Sequence, residues 1–166
     1  MNNDFYAIKT QIVIRYSSNS TQPEILKITL RCSMSSAVTR PMPATSQRAL
    51  QYFKELLEFE TDCWDVHHAI TNQRRDFILV DVRSVELYQK GHLPEAINIH
   101  HHQLKADRLN EYAPEQIFVV YCAGPHCNGA DKAAIALANL DRPVKKMIGG
   151  VTGWLDEGFE LIKSIE

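Results

Sequence analysis

Residues 117–130 read Ile-Phe-Val-Val-Tyr-Cys-Ala-Gly-Pro-His-Cys-Asn-Gly-Ala. The run Ile117–Tyr121 is apolar, β-branched and aromatic. It has the length of a strand covered on both faces and is too short for a buried helix. Gly124, Pro125 and Gly129 then break any regular pattern over 122–129. An Ala-rich stretch, 130–140, resumes at helical spacing with Ala134, Leu137 and Ala138 on its expected inner side. Strand, short loop and helix make the repeating unit of a parallel sheet. In such sheets, sites form at the carboxyl ends of the strands, and Cys122 stands at that end.

The same alternation extends outward from this unit. Branched apolar runs at 77–82, 96–99 and 144–148 predict three more strands. Between them the spacing predicts helices. One spans 46–59, with Ser46 as N-cap and an apolar stripe of Ala49, Leu50, Phe53, Leu56 and Leu57. A second is capped by Thr61 or Asp62 and carries Trp64, Ala69 and Ile70. A short one over 85–89 is capped by Ser84 and stopped by Gly91, and a polar one covers about 102–110. The last runs over 151–157 and ends at Gly158. The expectation is an α/β fold with a central parallel sheet and helices on both faces.

With 166 residues the chain has room for one well-cored domain but not two. A net charge of -2 gives no reason to expect nucleic acid or an anionic membrane as partner. No apolar run approaches the roughly 20 residues that span a bilayer. The start, MNNDFYAIKT, lacks the basic and apolar segments of a signal peptide, so a cytoplasmic location is expected. Asn19-Ser20-Thr21 matches a glycosylation acceptor that has no use without secretion. Residues 1–41 differ from the rest. Alternating stretches at 8–16 and 24–30 flank a polar break and suggest a hairpin, docked or mobile, ahead of a main domain over 42–166; alternatively Met42 is the natural start.

Cys32, Cys63, Cys122 and Cys127 are too few for a disulfide scaffold, so their spacing is read for chemistry. A thiol between a strand end and a helix N-terminus lies where unpaired amides and the helix dipole favour anions. The thiolate is the reactive form of cysteine. Gly124 and Gly129 leave the backbone free to curl its amides into an anion cradle. Such a loop could hold a sulfur oxyanion against Cys122; equally, Cys122 could be a small buried residue at a strand end. Cys127, five residues on, is either a resolving thiol for Cys122 or a small residue packed at the helix start. A resolving pair would lose two hydrogens under mild peroxide. Cys32 and Cys63 read as packing residues, and His100-His101-His102 and His67-His68 as turn or surface histidines without metal-ligand spacing.

Three segments in order resemble the rhodanese family of sulfurtransferases across about 62–161. They are Leu79-Val80-Asp81-Val82-Arg83 leading to Gly91-His92-Leu93-Pro94-Glu95-Ala96, then Val119-Val120-Tyr121-Cys122, then Gly149-Gly150 followed by Trp154 and Gly158-Phe159. The resemblance implies a rhodanese-like fold with about five parallel strands. It implies transfer of sulfane sulfur, from thiosulfate or a persulfide, to a thiol or cyanide acceptor through a persulfide on Cys122. That chemistry needs no cofactor or metal and allows a protein as sulfur acceptor. The substrate loop would be Ala123, Gly124, Pro125, His126, Cys127, Asn128 and Gly129. Asp81 would order backbone at its strand end, and Arg83 would steer an anion or pair with Glu86; structural pairing is the plainer role for both. Trp154 would belong to the core. The loop departs from the family pattern in having no Lys or Arg between Cys122 and Ala130, which leaves His126 as its only titratable cation. It is also about one residue longer than the six-residue kind. Asn128 stands where a related phosphatase would carry the arginine that binds phosphate, so phosphatase chemistry is not expected. The remaining readings are a sulfur-relay or partner-binding module of the same fold, and a redox sensor.

Overall fold

The computed structural model describes residues 35–74 and 76–163. The expected hairpin, the Asn19 acceptor and Cys32 lie outside them. The chain divides into two units, Met1–Thr45 and Ser46–Glu166. The described part of the first holds one 3-10 turn, Ala37–Thr39.

The second unit is a five-stranded, all-parallel sheet with helices between its strands. In chain order its elements are α1 (Ser46–Phe59), β1 (Glu60–Thr61), α2 (Cys63–Thr71), β2 (Phe77–Asp81), α3 (Val85–Lys90), β3 (Ile97–Asn98), β4 (Ile117–Tyr121), α4 (Gly129–Ala138), β5 (Val144–Met147) and α5 (Gly150–Asp156). The strand order is β1-β5-β4-β2-β3, with β2 and β4 paired from Phe77 opposite Ile117 to Asp81 opposite Tyr121.

Side chains alternate across a strand, so the central strands feed two cores. Val80, Val82, Phe118 and Val120 point to the face covered by α4, where they meet Ala130, Ala133 and Leu137. Leu79, Val119 and Tyr121 point to the other face, where they meet Val66 of α2 and Val151 and Trp154 of α5. Trp154 is fully buried and donates its indole N–H to Glu160 O at 3.0 Å. The same alternation sends Cys122, the next residue after β4, to the α4 face. Asp62 caps α2, its Oδ1 accepting from Asp65 N–H at 2.8 Å.

The structure corrects several sequence expectations. β1 is two residues long, too short to carry a periodic signal; Thr61, one of the two expected caps of the second helix, belongs to it, and Asp62 is the cap. In place of a helix over 102–110 there are two 3-10 turns, His101–Gln103 and Asp107–Leu109, which drop Leu104 and Leu109 into the α4-side core. In α4 it is Ala133, not Ala138, that is buried. α3 runs one residue further than expected, to Lys90, and Gly91 ends it as expected, in extended backbone. The α1 stripe is real but does not face the core: Leu50, Phe53 and Leu57 are 58–69% exposed. Periodicity identifies an apolar face; it does not say what covers it.

Candidate functional site

The loop after β4 is held from two sides. On one side its carbonyls are tied to the first turn of α5. Cys122 O accepts from Val151 N–H at 3.1 Å, and Ala123 O accepts from Thr152 N–H at 2.9 Å and from the Thr152 hydroxyl at 3.0 Å. In a trans peptide the N–H points opposite to the C=O. The amides of Ala123 and Gly124 therefore point away from α5. Gly150 makes the approach possible: it has φ +59°, and a Cβ there would run into Cys122 O.

On the other side the loop turns back on itself. Gly124 O accepts from Cys127 N–H at 3.0 Å, closing a turn over Pro125 and His126. This brings Cys127 to Cys122, and the two sulfurs are joined as a disulfide with a Cα–Cα distance of 6.3 Å. Both sulfurs lie over Gly129, the first residue of α4: a Cβ there would stand 2.8 Å from Cys122 Sγ and 3.4 Å from Cys127 Sγ. Asn128 precedes the helix without capping it through its side chain. The amides of Gly129, Ala130 and Asp131 are first-turn donors with no partner inside the helix. The sulfur pair thus sits at the positive end of α4. Cys122 is 7% exposed and belongs to the core, whereas Cys127 is half-buried.

Cys122, Gly124, Pro125 and Cys127 line a cleft of about 210 Å³, together with Ala130, Asp131 and the β5 end from Lys146 onward. His126 and Asn128 lie on the more open surface outside it, beside Pro125 and Asp131. The loop lacks a basic residue, but the cleft does not. Lys146 Nζ reaches it from β5, held by Glu60 at 2.9 Å and Asp131 at 3.0 Å. Its hydrogen bonds to Glu60 and then to Asp131 raise its pKa. Sequence reading missed Lys146, Asp131 and Glu60. The one available signal was alternation: adjacent lysines on a strand point to opposite faces. Lys145 Nζ accordingly donates to Leu57 O of α1 at 2.7 Å, while Lys146 meets Asp131 of α4.

Asp81 and Arg83 lie at the end of the neighbouring strand and are used up there. Arg83 Nη2 meets Asp81 Oδ2 at 2.6 Å and donates to Gly91 O at 2.7 Å; Arg83 Nε bonds both Asp81 oxygens. Arg83 pairs with Asp81 and not with Glu86, whose side chain bonds Ser84. Asp81 does order backbone, its Oδ1 accepting from Arg83 N–H at 2.9 Å. Cys63, the free cysteine among the described residues, is buried and points at the carbonyls of Ile148 and Gly150. Burial, reinforced by Asp62, pushes its thiol up to about 11. The rings of His100, His101 and His102 cluster with centroids 4.0–5.2 Å apart. No group of three or more potential metal ligands occurs among the described residues, and no helix among them is long and apolar enough to cross a membrane.

The Rhodanese-like domain model matches residues 65–157. The chain is 42% identical over 86 residues to the HTH-type transcriptional regulator Rv0324 of Mycobacterium tuberculosis, a match covering 48% of this chain and 38% of that protein. It is 33% identical over 100 residues to the adenylyltransferase and sulfurtransferase UBA4 of Candida albicans, covering 55% of this chain and 22% of that protein. It thus spans well under half the length of these curated relatives. Among solved structures, the BH2092 protein of Bacillus halodurans superposes with a TM-score of 0.69 at 36% identity, over 70% of this chain and 85% of that one. The chain belongs to the rhodanese-like domain family.

Proposed function

We propose that this rhodanese-like domain is a sulfurtransferase in which reduced Cys122 takes up sulfane sulfur as a persulfide and passes it to a thiophilic acceptor. The observation that carries this reading is the seat of Cys122. Strand alternation turns it to the α4 face, Gly129 lets its sulfur rest on the helix N-terminus, and α5 binds the loop carbonyls so that the amides of Ala123 and Gly124 face elsewhere. That environment stabilises a thiolate and then the anionic persulfide. In the loading step the Cys122 thiolate attacks the outer sulfur of the donor. The donor's S–S bond breaks, and sulfite or a thiolate departs with the electron pair.

The cleft also bears on the donor. Among the described residues lining it there is one cation, Lys146, already held by two carboxylates, so a doubly charged anion such as thiosulfate meets net negative charge. A persulfide donor carries less charge and suits this cleft better. Asp131→Asn should raise kcat/KM for thiosulfate by about 2- to 5-fold, the scale of a partly exposed charge interaction, with little change for a neutral polysulfide donor. Equal effects on both donors would refute this electrostatic account.

The test of the transfer itself is intact mass, measured after anaerobic reduction and brief exposure to a sulfane donor. Cys127→Ser, which keeps the nucleophile, should gain one sulfur atom; Cys122→Ser should gain none. A Cys122→Ser protein that still loads sulfur would overturn the assignment. No gain in either variant with any donor would favour a partner-binding module of the same fold.

A further inference from the structure

We infer that Cys127 gives this domain a second activity: reduction of the sulfane sulfur carried by Cys122 to hydrosulfide, at the expense of an external dithiol. The inference rests on the sulfur-carrier reading of Cys122 and goes beyond transfer to an acceptor. Its basis is that the loop folds Cys127 Sγ back onto the inner sulfur, Cys122 Sγ. The Gly124–Cys127 turn sets that approach, and the bare Cα of Gly129 accommodates both sulfurs at once. The Cα–Cα distance of 6.3 Å lies inside the range that disulfides span without backbone movement.

The step balances without an oxidant. With the persulfide on Cys122, the Cys127 thiolate attacks Cys122 Sγ. The Cys127–Cys122 bond forms, the bond from Cys122 Sγ to the outer sulfur breaks, and hydrosulfide leaves with the electron pair. The outer sulfur is reduced by two electrons, and the two cysteine sulfurs are together oxidised by two. The proton lost by Cys127 goes to solvent or to the departing sulfide. The resulting disulfide is the state seen in the structure. A dithiol then reopens it by attack on Cys127, the more exposed sulfur. The thiolate released is Cys122, which leaves readily because it is expelled at a helix N-terminus. The cycle thus regenerates the nucleophile in its reactive form.

The experiment follows sulfur and mass together, anaerobically, with reduced full-length protein and one equivalent of thiosulfate, whose leaving group in the loading step is sulfite and not sulfide. Wild type should release about one equivalent of sulfide with no added thiol and end two hydrogens lighter. Cys127→Ser should keep the sulfur on Cys122 and release sulfide only after a thiol is supplied. With an excess of donor and a dithiol, wild type should turn over at least about tenfold faster than Cys127→Ser. If wild type and Cys127→Ser hold the persulfide equally and neither forms sulfide unaided, the inference fails while the sulfur-carrier reading stands. If neither loads sulfur, the carrier reading itself has failed.

Discussion

β2 and β4 lie side by side and end at the same edge of the sheet, with Asp81 opposite Tyr121, yet their ends are built in opposite ways. The end of β2 carries the charged residues that a search for catalysts would pick first. The charged groups there are engaged from within: Asp81 and Arg83 bind each other, and Arg83 also donates to Gly91 O. The end of β4 carries no charge at all, but it leaves amides unclaimed and sets two sulfurs on a helix N-terminus. On the function proposed for Cys122, reactivity sits where interactions are left open. The closed pair is scaffolding, and it holds the turn that packs Leu93 and Tyr121: the Tyr121 hydroxyl accepts from Leu93 N–H at 3.2 Å.

The most forceful way to break this contrast is Asp81→Ala. It strands a guanidinium whose side chain is only 8% exposed, and breaking a buried pair from one side costs about 3–5 kcal/mol. Urea unfolding should show that loss, while sulfur loading per folded molecule in the Cys127→Ser background stays unchanged. Abolished loading with stability intact would mean that the charged end, too, belongs to the chemistry.

Gly150→Ala tests the other end. A Cβ would collide with Cys122 O, in a backbone conformation that side chains rarely adopt. The expected cost is about 1–3 kcal/mol. Sulfur loading should slow by roughly 10- to 100-fold, because the loop is pried from α5 and the nucleophile is misplaced. If loading survives, the α5 tether is not what positions Cys122.

The contrast also explains how much could be read in advance. β4 was legible to the residue, because a five-residue branched run buried on both faces has no competing reading. The position of Cys122 followed from local pattern too, and the core place of Trp154 from the family resemblance. β1 was not legible: two residues, Glu60 and Thr61, become a strand only because β5 lies alongside. Lys146 escaped because it reaches the cleft from another strand, and no local rule about the loop can see it. The pairing of Arg83 with Asp81 instead of Glu86 was a choice between i,i−2 and i,i+3 partners that depends on where the chain turns after β2. Cys127 stayed ambiguous because spacing alone does not say whether a loop folds back.

A smaller effect separates the two described kinds of cysteine. Cys63 is buried against carbonyl oxygens and its thiol is pushed up to about 11, so it should resist iodoacetamide in the native protein from about pH 7 to 9.5 and react only on unfolding. Since its folded pKa lies above the unfolded value of about 8.5, the native state binds the extra proton in that window. Stability should therefore fall as pH rises from about 8.5 toward 11. Cys122, once reduced, should be alkylated in the native protein across the same range. Equal native reactivity of Cys63 would show that burial at the start of α2 is less complete than the structure has it.

The smallest effect belongs to the end of β5, which stands between the two extremes. Lys146 is paired like Arg83 but is open to solvent, with side-chain exposures of 29% for Lys146 and 53% for Asp131. Solvent-screened pairs of this kind contribute under about 1 kcal/mol, so Lys146→Met should barely change the urea midpoint near neutral pH. What difference there is has a definite sign. The carboxylates raise the lysine's pKa in the folded state, so its contribution is fully present below the unfolded value of about 10.4 and disappears as pH rises through the folded value. Wild type and Lys146→Met should converge in stability on going from about pH 8 to strongly alkaline solution. A gap that instead widened with pH, or that reached the size expected for Asp81→Ala, would show that this pair is scaffolding of the β2 kind and not a charge displayed to the cleft.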